Sequence, residues 1–226
     1  MKRYIFLMLL CFPIFASAVS FNPPSQPIAF IVALDVTNSL NAEKFVTLRD
    51  RTMVDLVLSR VRIGDTIHFL PLSENSGENP MVFTASGQRL LLGKNLASWF
   101  QTNIHIQEIR KTKATDVAGV LDYALRVAQS ESLMHTPRRV QVVILTDGHV
   151  EGHQTPLSAQ CSANLRIDYF GVETQFENSL KDWTTSVCSQ AMFGITRFAN
   201  WETAKNVYVE KLDRPDNGIS HQFLSR

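Results

Sequence analysis

The stretch IAFIVAL (residues 28–34) contains no polar residue and leads directly into Asp35. A short run that is apolar at every position is typical of a strand covered on both faces, as in a parallel sheet. A second run of this kind, VQVVILT (residues 140–146), leads into Asp147. The two runs therefore predict central strands of a parallel sheet, each ending at an aspartate.

Amphipathic stretches separate these runs from one another. Residues 117–128 carry apolar side chains at helical spacing and form the clearest predicted helix. Alternating strands and helices predict a doubly wound α/β domain, with a mostly parallel sheet, one antiparallel edge strand and helices on both faces. We expect further strands at residues 66–72 and 167–172, an edge hairpin from residues 81–84 and 89–92 with residues 73–79 as turn material, and helices at residues 42–61, 96–109, 157–164, 178–191 and 203–212.

The beginning of the chain predicts export. A basic pair precedes an apolar run at residues 5–15, and the small residues ASA follow at residues 16–18. This is the layout of a secretory signal peptide, and the apolar run is too short to span a bilayer. A membrane anchor or a buried N-terminal helix is the alternative. We expect cleavage after residues 1–18, a Pro-rich leader at residues 19–27, and a periplasmic protein, with secretion as the alternative and no stable membrane insertion.

The charge balance bears on the class of partner, and the cysteines bear on a disulfide. The net charge is +1, with 22 basic and 21 acidic residues, so it gives no reason to expect binding to nucleic acid or to an anionic membrane. Cleavage of the signal peptide would leave two cysteines, Cys161 and Cys188, on the helices predicted at residues 157–164 and 178–191. We expect a structural disulfide between them, since export permits disulfides. Two buried free thiols are the alternative.

Three predicted loops bring oxygen-bearing side chains to one rim of the sheet. They are Asp35-Val36-Thr37-Asn38-Ser39, Thr115-Asp116 and Thr146-Asp147-Gly148. In open α/β sheets, ligands bind outside the carboxyl ends of the strands, where the strand order reverses. Carboxylates and hydroxyls are hard donors and favour Mg²⁺ or Mn²⁺ over zinc or copper.

These residues resemble the metal-ion-dependent adhesion site (MIDAS) of von Willebrand factor A (vWA) domains. In that family, Asp-x-Ser-x-Ser follows the first strand, a Thr precedes a later helix, and Asp-Gly follows the fourth strand. This sequence has Asp35-x-Thr37-x-Ser39, then Thr115, then Asp147. One departure is Thr37, which keeps the hydroxyl of the usual Ser but adds a methyl group and a stiffer rotamer. Another is the lead-in to Thr115, where Thr112-Lys113-Ala114 lacks the usual glycines.

The resemblance implies a role for each of these residues. The hydroxyls of Thr37 and Ser39 would contact the cation directly, and Asp35 and Asp147 would hold it mainly through water. Thr115 would bind directly in one state and through water in another. One coordination position would stay open for an Asp or Glu carboxylate of a partner protein.

The likeness extends over nearly the whole mature chain. It predicts a vWA-like domain at residues 28–212, followed by a C-terminal tail at residues 213–226. The implied function is a protein-binding module with Mg²⁺ or Mn²⁺ as cofactor, and no catalytic residue is expected.

A second interpretation of the same residues needs no metal. Ser39, Thr115 or Asp116 can serve as a helix N-cap, because short polar side chains accept hydrogen bonds from the first amides of a helix. The protein would then be a metal-independent interaction domain of an envelope complex.

A third interpretation concerns the loop after Asp147. His149, Glu151 and His153 follow it at alternating positions. An extended chain with this spacing can place two imidazoles on one side, as a zinc hydrolase requires. Glycines at positions 148 and 152 disfavour a helical zinc motif here. We favour a polar loop at the rim of the partner site, with the extended zinc arrangement as the alternative.

Overall fold

The computed structural model describes residues 26–35, 56–87, 114–133, 139–161, 165–197 and 200–212, with the single positions 92, 95, 98 and 99. A six-stranded sheet is its central feature. The strands are β1 (Ile28–Asp35), β2 (Thr66–Leu72), β3 (Met81–Thr84), β4 (Arg139–Leu145), β5 (Leu165–Phe170) and β6 (Met192–Thr196). The elements between and after them include a 3₁₀ turn (Leu58–Arg60) and the helices α1 (Val117–Leu133), α2 (Glu177–Val187) and α3 (Trp201–Leu212).

The sheet has the strand order β3-β2-β1-β4-β5-β6. Strand β3 runs antiparallel to β2 at one edge, and every other neighbouring pair is parallel. In the centre, Ala33 of β1 lies opposite Ile144 of β4. The mostly parallel sheet with one antiparallel edge strand confirms the predicted fold class.

Strand β1 lies in the interior of the domain, and all of its residues are buried. Because successive side chains of a strand point to opposite faces, β1 contributes to two apolar cores. Phe30 and Leu34 belong to a core with Tyr208 of α3, whereas Ile31 belongs to a core with Val120 of α1. Each large apolar side chain buried in this way stabilises the fold by about 1.5–3 kcal/mol.

Most predicted elements are confirmed, with small shifts at their ends. The apolar runs at residues 28–34, 66–72, 140–146 and 167–172 correspond to β1, β2, β4 and β5, and residues 81–84 form β3. The predicted helices at residues 117–128, 178–191 and 203–212 correspond to α1, α2 and α3.

Three details of the sequence interpretation are wrong. Residues 157–161 are irregular rather than helical, because the chain follows Pro156 and the amide of Ser158 donates to the Asp122 carboxylate at 2.7 Å. The edge hairpin joins β3 to β2, and Leu92, at the end of the strand predicted at residues 89–92, is helical. Strand β6 was not predicted.

Other predictions lie outside the described residues. These are the signal peptide, nearly all of the leader, residues 42–55 of the first long helix, residues 89–91, most of residues 96–109 and the C-terminal tail. Among the helices that are described, none has both the length and the apolar character needed to cross a membrane.

A disulfide joins Cys161 to Cys188, with their Cα atoms 5.2 Å apart. Both residues are buried. The predicted pairing is confirmed, but the bond does not connect two helices. It ties the irregular segment before β5 to the C-terminal end of α2.

Candidate functional site

The strand order reverses at the centre of the sheet, between β1 and β4. Strands β1 and β4 are parallel neighbours; β1 is followed by β2 on one side, and β4 by β5 on the other. Asp35 is the last residue of β1, and Asp147 lies just beyond the end of β4. Both aspartates therefore sit at the switch point where open α/β sheets bind ligands.

A side-chain hydrogen bond connects the ends of these two strands. Thr146 Oγ1 donates to Asp35 Oδ2 at 2.7 Å, and the same hydroxyl accepts from the amide of Gly148 at 3.1 Å. Thr146 and Asp35 are each 1% exposed. Thr146 therefore orients the Asp35 carboxylate and the turn that carries Asp147. Sequence reasoning did not assign it this role, although its place between a buried strand and Asp147 was a usable signal.

The turn after β4 requires glycine at position 148. Gly148 has a φ of +92°, and a Cβ there would lie 2.7 Å from Val172 Cγ1. Only glycine adopts this backbone conformation without strain. Asp147 Oδ1 accepts from the amide of His149 at 2.9 Å, and the Asp147 carbonyl accepts from the amide of Glu173 at 2.8 Å. The Asp147 carboxylate is thus held by its own turn at the rim.

The third loop places Thr115 and Asp116 at the beginning of α1, where both are buried. Asp116 Oδ1 accepts from the amide of Gly119 at 2.9 Å, which is the hydrogen bond of a helix N-cap. The capping interpretation is therefore confirmed for Asp116. The Thr115 hydroxyl forms no such bond within the described residues, so the two neighbours have different roles.

The loop after β4 also contacts the Thr115 loop directly. The Thr115 amide donates to the carbonyl of Glu151 at 3.1 Å, and the Gln154 side-chain amide donates to the Thr115 carbonyl at 2.8 Å. These bonds bring together two of the three loops that the sequence placed at one rim. Gln154 was not singled out from the sequence, because nothing in the local pattern links it to a residue 39 positions away.

The alternating positions of His149, Glu151 and His153 do not bring these three side chains together as a set of metal ligands. His149 Nε2 lies 3.1 Å from Glu151 Oε1, and the imidazole stacks on the ring of Phe176 with centroids 4.5 Å apart. Within the described part of the chain, which includes all three residues, no cluster of three or more His, Cys, Asp or Glu side chains is arranged to bind a metal. His149 is partly exposed, and Glu151 and His153 are exposed.

The donors at the switch point fit a hard divalent cation. Asp35 and Asp147 supply carboxylates, and Thr115 supplies a hydroxyl from the loop that is hydrogen-bonded to residue 151. Oxygen donors of this type are preferred by Mg²⁺ and Mn²⁺. The other two predicted ligands, Thr37 and Ser39, lie outside the described residues.

The fold of the chain is similar to that of known proteins, although its sequence matches none of them. No protein-family model and no curated protein sequence matches the chain. Among solved structures, proximal thread matrix protein 1 from the mussel byssus, with a zinc-occupied MIDAS motif, aligns with a TM-score of 0.52 at 17% identity, over 83% of this chain and 46% of the mussel chain. The chain has a vWA-like fold.

A second crystal form of the mussel protein gives a TM-score of 0.50 at 16% identity, again over 83% of this chain and 46% of the other. The vWA-like chain therefore spans a little under half the length of the mussel protein. At this level of identity the likeness extends to the fold and leaves the site to be judged on its own residues.

Proposed function

We propose that the protein is an exported binding module that captures an acidic group of a partner protein through a divalent cation. The observation that carries the proposal is the hydrogen bonding between the ends of β1 and β4 at the switch point of a vWA-like sheet, where Asp35 and Asp147 lie. Asp35 is oriented by the Thr146 hydroxyl at 2.7 Å, and the Thr115 loop is hydrogen-bonded to the loop of Asp147. Thr37 and Ser39 complete the proposed ligand set.

The chemistry of this ligand set explains why a carboxylate would be the target. A cation held largely by neutral hydroxyls keeps most of its positive charge, whereas several direct carboxylates would neutralise it. Such a cation attracts an Asp or Glu side chain from another protein. Mg²⁺ or Mn²⁺ is the proposed occupant, and the zinc-occupied MIDAS motif of the mussel protein supports a divalent cation in this fold.

The surface around the site suits a protein partner. The loop after Asp147 contains three partly or fully exposed residues that are the proposed rim of the partner site: His149, Glu151 and His153. The signal peptide predicted at residues 1–18 supports a periplasmic location. Binding, rather than catalysis, is the proposed activity.

Isothermal titration of Mg²⁺ and Mn²⁺ into metal-stripped protein tests the proposal. The unaltered protein should bind one cation per chain. Asp35→Asn and Asp147→Asn each remove a carboxylate charge with little change in size and should abolish the heat. Asp182→Asn is the matched control, because Asp182 is an exposed carboxylate on α2, and it should bind like the unaltered protein.

The titration separates this function from the metal-independent alternative. Circular dichroism of each variant shows that it is folded before its heat is interpreted. The cation site is supported if the heat of cation binding disappears in both site variants and remains in Asp182→Asn. Absence of heat in the folded, unaltered protein would contradict the proposal and favour a vWA-like interaction domain that binds without metal.

A further inference from the structure

Residues 151–158, here called the anchoring segment, run over the N-terminal end of α1. The segment engages Thr115 on both sides of its backbone. The Glu151 carbonyl accepts from the Thr115 amide at 3.1 Å, and the Gln154 side-chain amide donates to the Thr115 carbonyl at 2.8 Å. The Gln154 side-chain oxygen also accepts from the amide of Ala118 at 3.2 Å. Thr115 is thereby fixed relative to the first turn of α1.

The next residue of the segment fixes the helix cap. Thr155 Oγ1 donates to Asp116 Oδ2 at 2.5 Å, and the Thr155 amide donates to Asp116 Oδ1 at 2.9 Å. Asp116 is 1% exposed and also caps α1 through the amide of Gly119. Hydrogen bonds to a buried carboxylate are among the stronger ones in proteins. Thr155 therefore binds both oxygens of the Asp116 carboxylate, next to Thr115.

Two further contacts hold the anchoring segment against the same loop. Gly152 has a φ of +80°, and a Cβ there would lie 2.7 Å from the Cβ of Ala114, so the two backbones approach more closely than other residues allow. At the far end, the Ser158 amide donates to Asp122 Oδ1 at 2.7 Å. Five residues of the segment therefore contact α1 or its preceding loop, at positions 151, 152, 154, 155 and 158.

We propose that Thr155 and Gln154 are positioning residues of the cation site. They contact no proposed ligand atom themselves and act by holding the backbone and the neighbour of Thr115, so that its hydroxyl faces the cation before the cation binds. This inference rests on the proposed function. Groups that orient metal ligands from outside commonly change metal affinity 10- to 100-fold when they are removed.

Thr155→Val is the decisive variant, because it removes the hydroxyl bond to Asp116 and keeps the side-chain shape. We expect its affinity for Mn²⁺, measured by calorimetry, to fall about tenfold. Thr155→Ser restores the hydroxyl and should restore the affinity. Gln154→Met removes the bond to the Thr115 carbonyl by a separate route and should weaken binding in the same direction.

A matched control separates positioning from loss of stability. Thr184 is fully buried on α2, and its hydroxyl bonds to the Tyr169 hydroxyl at 3.0 Å and to the Leu180 carbonyl at 2.7 Å. Thr184→Val should lower the melting temperature and leave the Mn²⁺ affinity unchanged. Hydrogen exchange gives a readout without metal: the Thr115 amide should exchange faster in Thr155→Val and keep its rate in Thr184→Val.

The outcomes distinguish the two proposals. Binding by the unaltered protein with equal affinity in Thr155→Val and Gln154→Met would overturn the positioning role and leave the proposed function standing. Weakening by Thr184→Val as large as that by Thr155→Val would also overturn it. Absence of Mn²⁺ binding to the folded, unaltered protein would overturn both proposals.

Discussion

Replacing Thr146 by valine removes a single hydroxyl from the centre of the proposed site. Valine has nearly the shape of threonine, so the packing between β1 and β4 is kept. The change leaves Asp35 Oδ2 without the donor that lies 2.7 Å away in the native protein. It also leaves the buried amide of Gly148 without its acceptor at 3.1 Å.

The size of the effect follows from the burial of these groups. Thr146 and Asp35 are each 1% exposed, so water cannot readily replace the lost bonds. A buried polar group left without its partner costs about 1–3 kcal/mol, and more for a charged one. Because the Gly148 amide loses its acceptor and Asp35 loses one hydrogen bond, the free energy of unfolding of Thr146→Val should fall by about 2–4 kcal/mol. Because Asp35 also loses its orientation, cation affinity should fall about tenfold.

Urea denaturation and Mn²⁺ calorimetry on the same preparation measure both effects. Thr66→Val is the matched control, because Thr66 is buried at the opposite end of a neighbouring strand and bonds to His68 Nε2 at 3.0 Å. The control should lose only about 1 kcal/mol and should bind Mn²⁺ normally. Equal stability losses in the two variants, with equal Mn²⁺ affinity, would refute the coupling of Thr146 to Asp35.

Three further predictions concern the rest of the fold. Reduction of the Cys161–Cys188 disulfide, which spans 27 positions, should destabilise the protein by about 2–4 kcal/mol and leave one cation bound; thermal unfolding and calorimetry with and without reductant check this. Gly194→Ala should destabilise by about 1–3 kcal/mol in urea, because its Cβ would lie 2.7 Å from Asp168 Oδ1; unchanged stability would contradict the contact. Burial raises the pKa of Tyr208 well above 10.0, so the folded chain retains a proton that the unfolded chain loses. Stability should therefore fall as the pH rises above about 10, seen as a lower urea midpoint.

The central strands and the rim of the site could be predicted because their signals are local. A run such as residues 28–34 is apolar throughout because it is buried on both faces, and the aspartate that ends it marks the rim. Strand β6 has no such signal. It lies at the sheet edge, Met192 is 58% exposed, and Gly194 interrupts its middle.

The contacts that organise the site could not be predicted from local patterns. Thr155 reaches Asp116 across 39 positions, and Thr146 reaches Asp35 across 111. Such hydrogen bonds depend on how loops pack after the sheet has formed, and hydrophobic periodicity carries no information about them. The sequence likewise left open whether Thr115 or Asp116 caps α1, since both residue types are able to cap a helix.

The open coordination position is the central claim, and water-proton relaxation on the Mn²⁺-loaded protein tests it most directly. Coordinated water that exchanges at bound Mn²⁺ speeds the relaxation of bulk water, and acetate serves as the simplest carboxylate probe. The account predicts that added acetate slows this relaxation to a saturable limit by displacing water, while the same concentration of chloride has no effect. A relaxation rate that acetate leaves unchanged, with one Mn²⁺ bound per chain, would contradict capture of an acidic group at the cation.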